Sequence, residues 1–184
     1  LVIERGKAVR ERTKDTWGFW RKKIFNEESN VQFGEGGAGT FSDGKLWTQT
    51  KDRRHLGRKV MEAMVNGGAP EEILYVSKPH VGTFRLVKIV EYLRREIERL
   101  GGEIRFSTRV ENIEVEAGEI RGLQTFNLAS GEHSKISANQ VILAVGHSAR
   151  DTFEMLHSRG IFVEPKPFSI GFRIEHPQGM VDRA

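Results

Sequence analysis

Apolar positions follow three different rhythms along this chain, and each rhythm predicts a different element. Leu1-Val2-Ile3 is a short unbroken apolar run, which reads as the end of a buried strand. Residues 7–25 are charged with scattered Trp17, Phe19 and Trp20, and suit helix and loop. A helical spacing returns over 56–66 and ends at Gly67-Gly68, and Pro70 to Tyr75 reads as one further helical turn. The clearest helix covers about 84–100. Leu86, Val90, Leu93, Ile97 and Leu100 share one face, and Arg85, Lys88, Glu91, Arg95 and Glu98 face water. Thr83 is placed to cap its start and Gly101-Gly102 its end.

Beyond that helix the period shortens. A strand is expected over 103–106, then a three-stranded β-meander over roughly 109–116, 119–128 and 133–137, punctuated by Ala117-Gly118 and Ser130-Gly131. Val141-Ile142-Leu143-Ala144-Val145 is continuously apolar and predicts a strand covered on both faces, as in a parallel sheet. A helix is expected over about 151–159, ending at Gly160, and a new strand pattern begins at Phe168 after Pro165 and Pro167. The expected fold class is α/β: a partial Rossmann-like domain with a parallel sheet, a β-meander crossover and the opening of an inserted domain. The chain starts mid-strand and stops just after a strand-like run, so both ends are read as cut.

Composition narrows the chemistry. The 184 residues are 38% hydrophobic and 29% charged, ordinary for a soluble globular protein. The absence of cysteine excludes disulfides, thiolate nucleophiles and cysteine zinc sites, and fits a reducing, cytoplasmic compartment. No apolar run approaches the ~20 residues that span a bilayer, so no membrane partner is expected. The net charge of +4 reads as mild basicity. Its excess lies near Lys51–Lys59, without the interleaved aromatics of a single-strand binder, so nucleic acid is not expected. The histidines lack metal-ligand spacing, and no metal is expected.

The segment GEGGAGTFSDGKL places five glycines between residues 34 and 44. Glycine permits positive φ and close approach of backbone N–H groups to a ligand. Such a loop can wrap a pyrophosphate or lie along a flavin ring, and its lysine spacing excludes a P-loop. A flexible surface linker is the plain alternative, but Phe41, Leu46 and Trp47 are too apolar for one. Glu4, directly after a strand, sits where dinucleotide-binding folds place the carboxylate that accepts from ribose hydroxyls, with Arg5 beside it; a solvated strand-end glutamate is the alternative. His80 precedes the best helix and is a candidate proton donor, although a loop histidine is more often structural. Gly146, after the apolar run, lets backbone pass close to a cofactor, and His147 follows it.

These segments together resemble a known family. Residues 1–13 (LVIERGKAVRERT), 30–46 (NVQFGEGGAGTFSDGKL), 78–83 (KPHVGT), 143–156 (LAVGHSARDTFEML) and 166–177 (KPFSIGFRIEHP) look like uncharacterised bacterial FAD-dependent dehydrogenases of the glutathione-reductase-like flavoprotein superfamily. The resemblance implies FAD as cofactor, NAD(P)H as an electron donor, a small-molecule substrate and hydride transfer between them. It implies that Glu4 binds the adenosine ribose, that Gly36, Gly37, Ala38, Gly39 and Thr40 line the pyrophosphate or flavin, and that Ser42, Asp43 and Lys45 sit near the ring. Val110 would meet adenine through its backbone. Ala144, Val145 and Gly146 would stand at an Ala-Thr-Gly type motif, from which Val145 departs. Negative charge on the reduced flavin would be met by the glycine loop and Lys45. His80, Lys45 and His147 are the catalytic candidates. The resemblance also places a first strand and Gly-x-Gly-x-x-Gly turn before Leu1, makes residues 1–165 part of an FAD-binding domain, and makes 166–184 the start of a substrate domain. An RNA-linked flavoprotein and an inactive fragment are the rival readings.

Overall fold

The computed structural model describes residues 1–48, 51–172 and 174–183. Strand β1 (Val2–Ile3) pairs in parallel with β2 (Ile104–Arg105), Val2 opposite Ile104. Everything between them is the crossover: helix α1 (Val9–Lys22), a glycine-rich loop with a 3₁₀ turn (Ala38–Phe41), α2 (Leu56–Asn66), a second 3₁₀ turn (Glu71–Leu74) and α3 (Thr83–Arg99). Strands β3 (Thr108–Glu116), β4 (Glu119–Asn127) and β5 (His133–Ser137) form an antiparallel sheet in chain order. Helix α4 (Arg150–Ser158) and a single turn, α5 (Gln178–Val181), complete the chain. The mixed α/β class, the parallel pairing and the meander are as the pattern predicts.

Local chemistry accounts for the boundaries. The β3–β4 hairpin turns on Ala117 and Gly118, at φ +50° and +81°. Two consecutive positive φ values follow the right-handed strand twist, which is why alanine tolerates the position beside glycine. Helix α3 begins at Thr83, one residue earlier than the pattern predicts, and Thr83 does not cap it. The cap position falls to Gly82, at φ +91° and without a side-chain hydrogen bond. The chain there leaves a β-bridge, with Val81 N donating to Gly44 O and Gly82 N to Asp43 O, and must reverse within one residue. Only glycine does that without strain. Of the predicted apolar face of α3, Leu86 is buried, but Leu100 is exposed at the helix end, and Ile89 is the residue closed off from water.

Two corrections concern the apolar runs. Residues 141–145 form no strand, and Ile142 and Leu143 are exposed. A buried strand needs a paired strand on each edge and side chains above and below. Among the described residues no strand flanks this segment, and Val141 alone packs against a core cluster. The strand expected from Phe168 is also absent among the described residues, where Phe168, Ile170 and Phe172 stand in solvent for the same reason.

Among the described residues most buried apolar side chains gather in two clusters. Ala69, Ile73, Val81, Leu86 and Ile89 form one cluster beneath α2 and α3. Ile113, Leu123 and Leu156 form the other, joined by the half-buried Ile3 and Val110. Between the meander, the loop after α1 and α4 runs a chain of charges. Glu28 accepts from Arg5 Nε at 2.8 Å and from Arg109, while Arg5 also reaches Asp151 at 2.8 Å and Arg109 reaches Glu111 at 2.8 Å. Arg5 holds the Asp151 carboxyl below its ordinary range, chiefly by that hydrogen bond. Glu28→Ala removes the carboxylate that two half-buried guanidinium groups share, leaving Arg5 on Asp151 and Arg109 on Glu111, and is expected to cost about 1–3 kcal/mol, since losing one partner of a charged hydrogen bond costs more than the bond contributes. Urea denaturation beside the exposed Glu27→Ala, expected within about 0.5 kcal/mol of the parent, measures it.

Candidate functional site

The end of β1 is where the sequence-predicted residues first meet. Glu4 Oε1 accepts from Gly6 N at 2.8 Å and from Gly34 N at 3.0 Å. The carboxylate thus ties the strand end to the start of the glycine-rich loop, and Oε2 has no protein donor among the described residues. Gly6 and Gly34 touch backbone to backbone: a Cβ on Gly6 would lie 2.5 Å from Gly34 Cα. Arg5, by contrast, is taken up by Glu28 and Asp151 and stacks 4.4 Å over the Phe33 ring. The loop after residue 145 joins this corner, because Ser148 Oγ donates to Gln32 Oε1 at 3.2 Å and lies 3.4 Å from His147 Nε2. His147, Ser148, Gln32 and Phe33 line an open cleft of about 550 Å³ that continues under Phe19 and Trp20. Ala144 is exposed, and Gly146 turns the chain at φ +71°. Val110 is half-buried in β3 opposite Thr125, next to a bulge before Asn112.

The glycine-rich segment is folded rather than extended, and two residues that the pattern did not single out fold it. Arg12 is fully buried. Its guanidinium donates to five main-chain carbonyls: Asn30 at 2.7 Å, Val31 at 2.8 Å, Gly34 at 3.2 Å, Glu35 at 2.7 Å and Gly37 at 2.9 Å. Burial pushes its pKa down to about 10, against the Glu4 and Glu35 carboxylates, so it stays charged at neutral pH. Glu35 does the reverse job. Its Oε2 accepts from Val9 N at 2.7 Å, capping α1 from a distance where Ala8 offers no side-chain cap. Burial raises the Glu35 carboxyl, and Val9 N–H and Arg94 pull it back. The signal for Arg12 lay in spacing: Val9, Arg12 and Thr16 form one buried stripe on α1, but an arginine there reads as solvent-facing.

Within the loop each predicted residue has a distinct place. Gly36 lies at φ +83°, and a Cβ there would meet Thr40 Oγ1 at 2.1 Å and Val90 at 2.9 Å. Thr40 is buried, its hydroxyl on Glu35 O. Gly37 lies at φ +66°. Gly39 has neither constraint: its φ is not positive, and beyond its chain neighbours no atom of the described residues lies within 4 Å of the point where a Cβ would stand. The N–H groups of Gly36, Ala38 and Gly39 find no protein acceptor among the described residues, and all three residues are exposed. Ser42 Oγ donates to Gly39 O at 2.7 Å and accepts from Gly44 N at 3.1 Å, closing the turn.

At the far end of the loop Lys45 and His80 sit opposite each other in an antiparallel bridge. Asp43 lies between them, 3.4 Å from Lys45 Nζ and 3.6 Å from His80 Nδ1. Lys45, Trp47, Lys78 and His80 line an open cleft of about 400 Å³. Two catalytic candidates, Lys45 and His80, are therefore adjacent, while His147 lines the other cleft. Among the described residues no three His, Asp or Glu side chains are placed to hold a metal, and no helix is long and apolar enough to cross a membrane.

A short parallel pair, a helical crossover whose glycine loop leads from the strand end, and an antiparallel meander define an α/β chain built around that loop. The chain belongs to the FAD dependent oxidoreductase family, whose model matches residues 3–177. It is 45% identical over 182 residues to an uncharacterized protein of Clostridium beijerinckii (strain ATCC 51743 / NCIMB 8052). That match covers 99% of this chain and 33% of the relative, so the chain spans about a third of the relative's length. Among solved structures it aligns with the open conformation of a flavocytochrome c3 fumarate reductase at a TM-score of 0.44 and 16% identity, over 86% of this chain and 35% of that one. It also aligns with ornithine hydroxylase (PvdA) from Pseudomonas aeruginosa at a TM-score of 0.30 and 18% identity, over 85% and 38% of the two chains.

Proposed function

We propose that this chain supplies part of the FAD-binding domain of an oxidoreductase that moves hydride between FAD and a small-molecule substrate or a reduced nicotinamide. Residues 1–165 would belong to that domain and 166–184 would open the substrate domain. The observation that carries the reading is the exposed face of the glycine-rich loop: the N–H groups of Gly36, Ala38 and Gly39 have no protein acceptor among the described residues, and such a row of free donors suits an anionic ligand. FAD, when bound, supplies the two-electron redox chemistry, and the protein orients and tunes it. Glu4 would accept from the ribose through Oε2 while Oε1 stays on Gly6 and Gly34. The N–H groups of Gly36, Ala38 and Gly39 would face the cofactor's negative charge. His80, oriented by Asp43, would move a proton at Nε2, and Lys45 would add positive charge beside it.

The test is the product of the full reading frame, purified and titrated with each reduced nicotinamide. A yellow protein whose visible band bleaches with one donor is the expected result. A colourless protein that takes up no added FAD would remove the proposal. In the same protein His80→Ala is expected to slow flavin reduction about a hundredfold or more, the usual scale of acid–base catalysis, with FAD affinity little changed. Unaltered reduction kinetics would take His80 out of the site.

A further inference from the structure

Arg12 lies beneath the glycine-rich loop, wholly closed off from solvent, and among the described residues it donates only to backbone carbonyls. A buried charge that makes no direct ion pair is costly, and one that collects five carbonyls is spent on shaping a backbone. The direction of each peptide makes the consequence specific. In a trans peptide the carbonyl of one residue and the N–H of the next point opposite ways. Arg12 draws the Glu35 carbonyl inward at 2.7 Å, so the Gly36 N–H turns outward; it draws the Gly37 carbonyl inward at 2.9 Å, so the Ala38 N–H turns outward. Those two N–H groups have no protein acceptor among the described residues, and their residues are exposed.

We infer that Arg12 is a positioning residue: from inside the fold it sets the Gly36 and Ala38 N–H groups toward an anionic part of the flavin nucleotide. The inference rests on the proposed function and deepens it. Lysine keeps the charge but has one nitrogen with three donors in place of a planar fork with five, so it cannot hold all five carbonyls. The anion is either the pyrophosphate or the flavin ring on which charge builds during reduction, and the two are separable.

The experiment uses the product of the full reading frame with Arg12→Lys and Arg12→Gln, reading FAD dissociation constant, flavin reduction potential and thermal midpoint. If the N–H groups face the pyrophosphate, FAD affinity falls about tenfold to a hundredfold in both redox states and the potential stays put. If they face the ring, the potential drops while affinity for oxidised FAD changes little. Either result supports the inference. A lower thermal midpoint with both FAD affinity and potential unchanged shows a structural role alone and overturns it. Should neither variant fold, hydrogen exchange of the unsubstituted protein decides: the 36–38 amides are expected to gain protection on adding FAD, and their unchanged exchange overturns the inference. A parent protein that binds no FAD would instead sink the functional reading, so the two failures are distinguishable.

Discussion

Gly6→Ala is expected to cost at least about 3 kcal/mol and to remove most soluble, folded protein. A methyl group at this position would sit 2.5 Å from Gly34 Cα, 2.6 Å from Gly34 N and 2.9 Å from the Phe33 carbonyl carbon. All three are backbone atoms, so no rotamer change relieves the clash, and overpacking of that kind costs more than the usual 1–3 kcal/mol. Two further connections would be strained together: Gly6 N donates to Glu4, and Gly6 O accepts from Ser107 N at 2.9 Å. Gly18→Ala provides the contrast. Gly18 lies within α1 with nothing within 4 Å, and alanine there is expected to stabilise by about 0.5–1 kcal/mol through helix propensity. Urea midpoints of the two variants should therefore move in opposite directions. A wild-type midpoint for Gly6→Ala would mean that the strand end and the loop do not meet.

That contact explains why the site was only partly legible. The meander and α2 follow from local signals, since a period of two, a period of 3.6 and glycine punctuation are written within a few residues. The loop could be recognised by its glycines, but what folds it is distant in sequence. Arg12 reaches carbonyls 18 to 25 residues away, and Glu35 caps a helix 26 residues before it. The stripe of Val9, Arg12 and Thr16 marks burial on α1, but neither partner can be read from it. The partners of Arg5 are equally remote: Glu28 and Asp151, which hold its guanidinium, lie 23 and 146 residues on. Residues 141–145 show the opposite failure. Their apolar run states a preference for burial, but burial needs flanking strands, and a run of five residues says nothing about where those lie.

The cluster around Ile89 carries the far end of the loop and the one beneath the meander does not, and this separates stability from site geometry. Ile89 is fully buried among Ala69, Ile73, Val81 and Leu86, with Leu46 packed at the edge. Leu46 N donates to Pro79 O and Val81 N to Gly44 O, so this cluster fixes the bridge that sets Lys45 opposite His80. Ile89→Ala is expected to cost about 2–5 kcal/mol, the range for removing a buried branched side chain without collapse. The site of removal leaves little room for collapse, because Gly67 at the end of α2 already approaches the Ile89 backbone, a Cβ there lying 3.3 Å from Ile89 Cα. Ile113→Ala, in the cluster beneath the meander, should cost a similar amount. The two variants differ in where they act. Ile89→Ala should alter the emission of Trp47, which lines the cleft with Lys45 and His80, under conditions where the protein is still folded. Ile113→Ala should leave that emission unchanged until global unfolding. Equal responses of Trp47 to both substitutions would show that the bridge is not held by its own cluster.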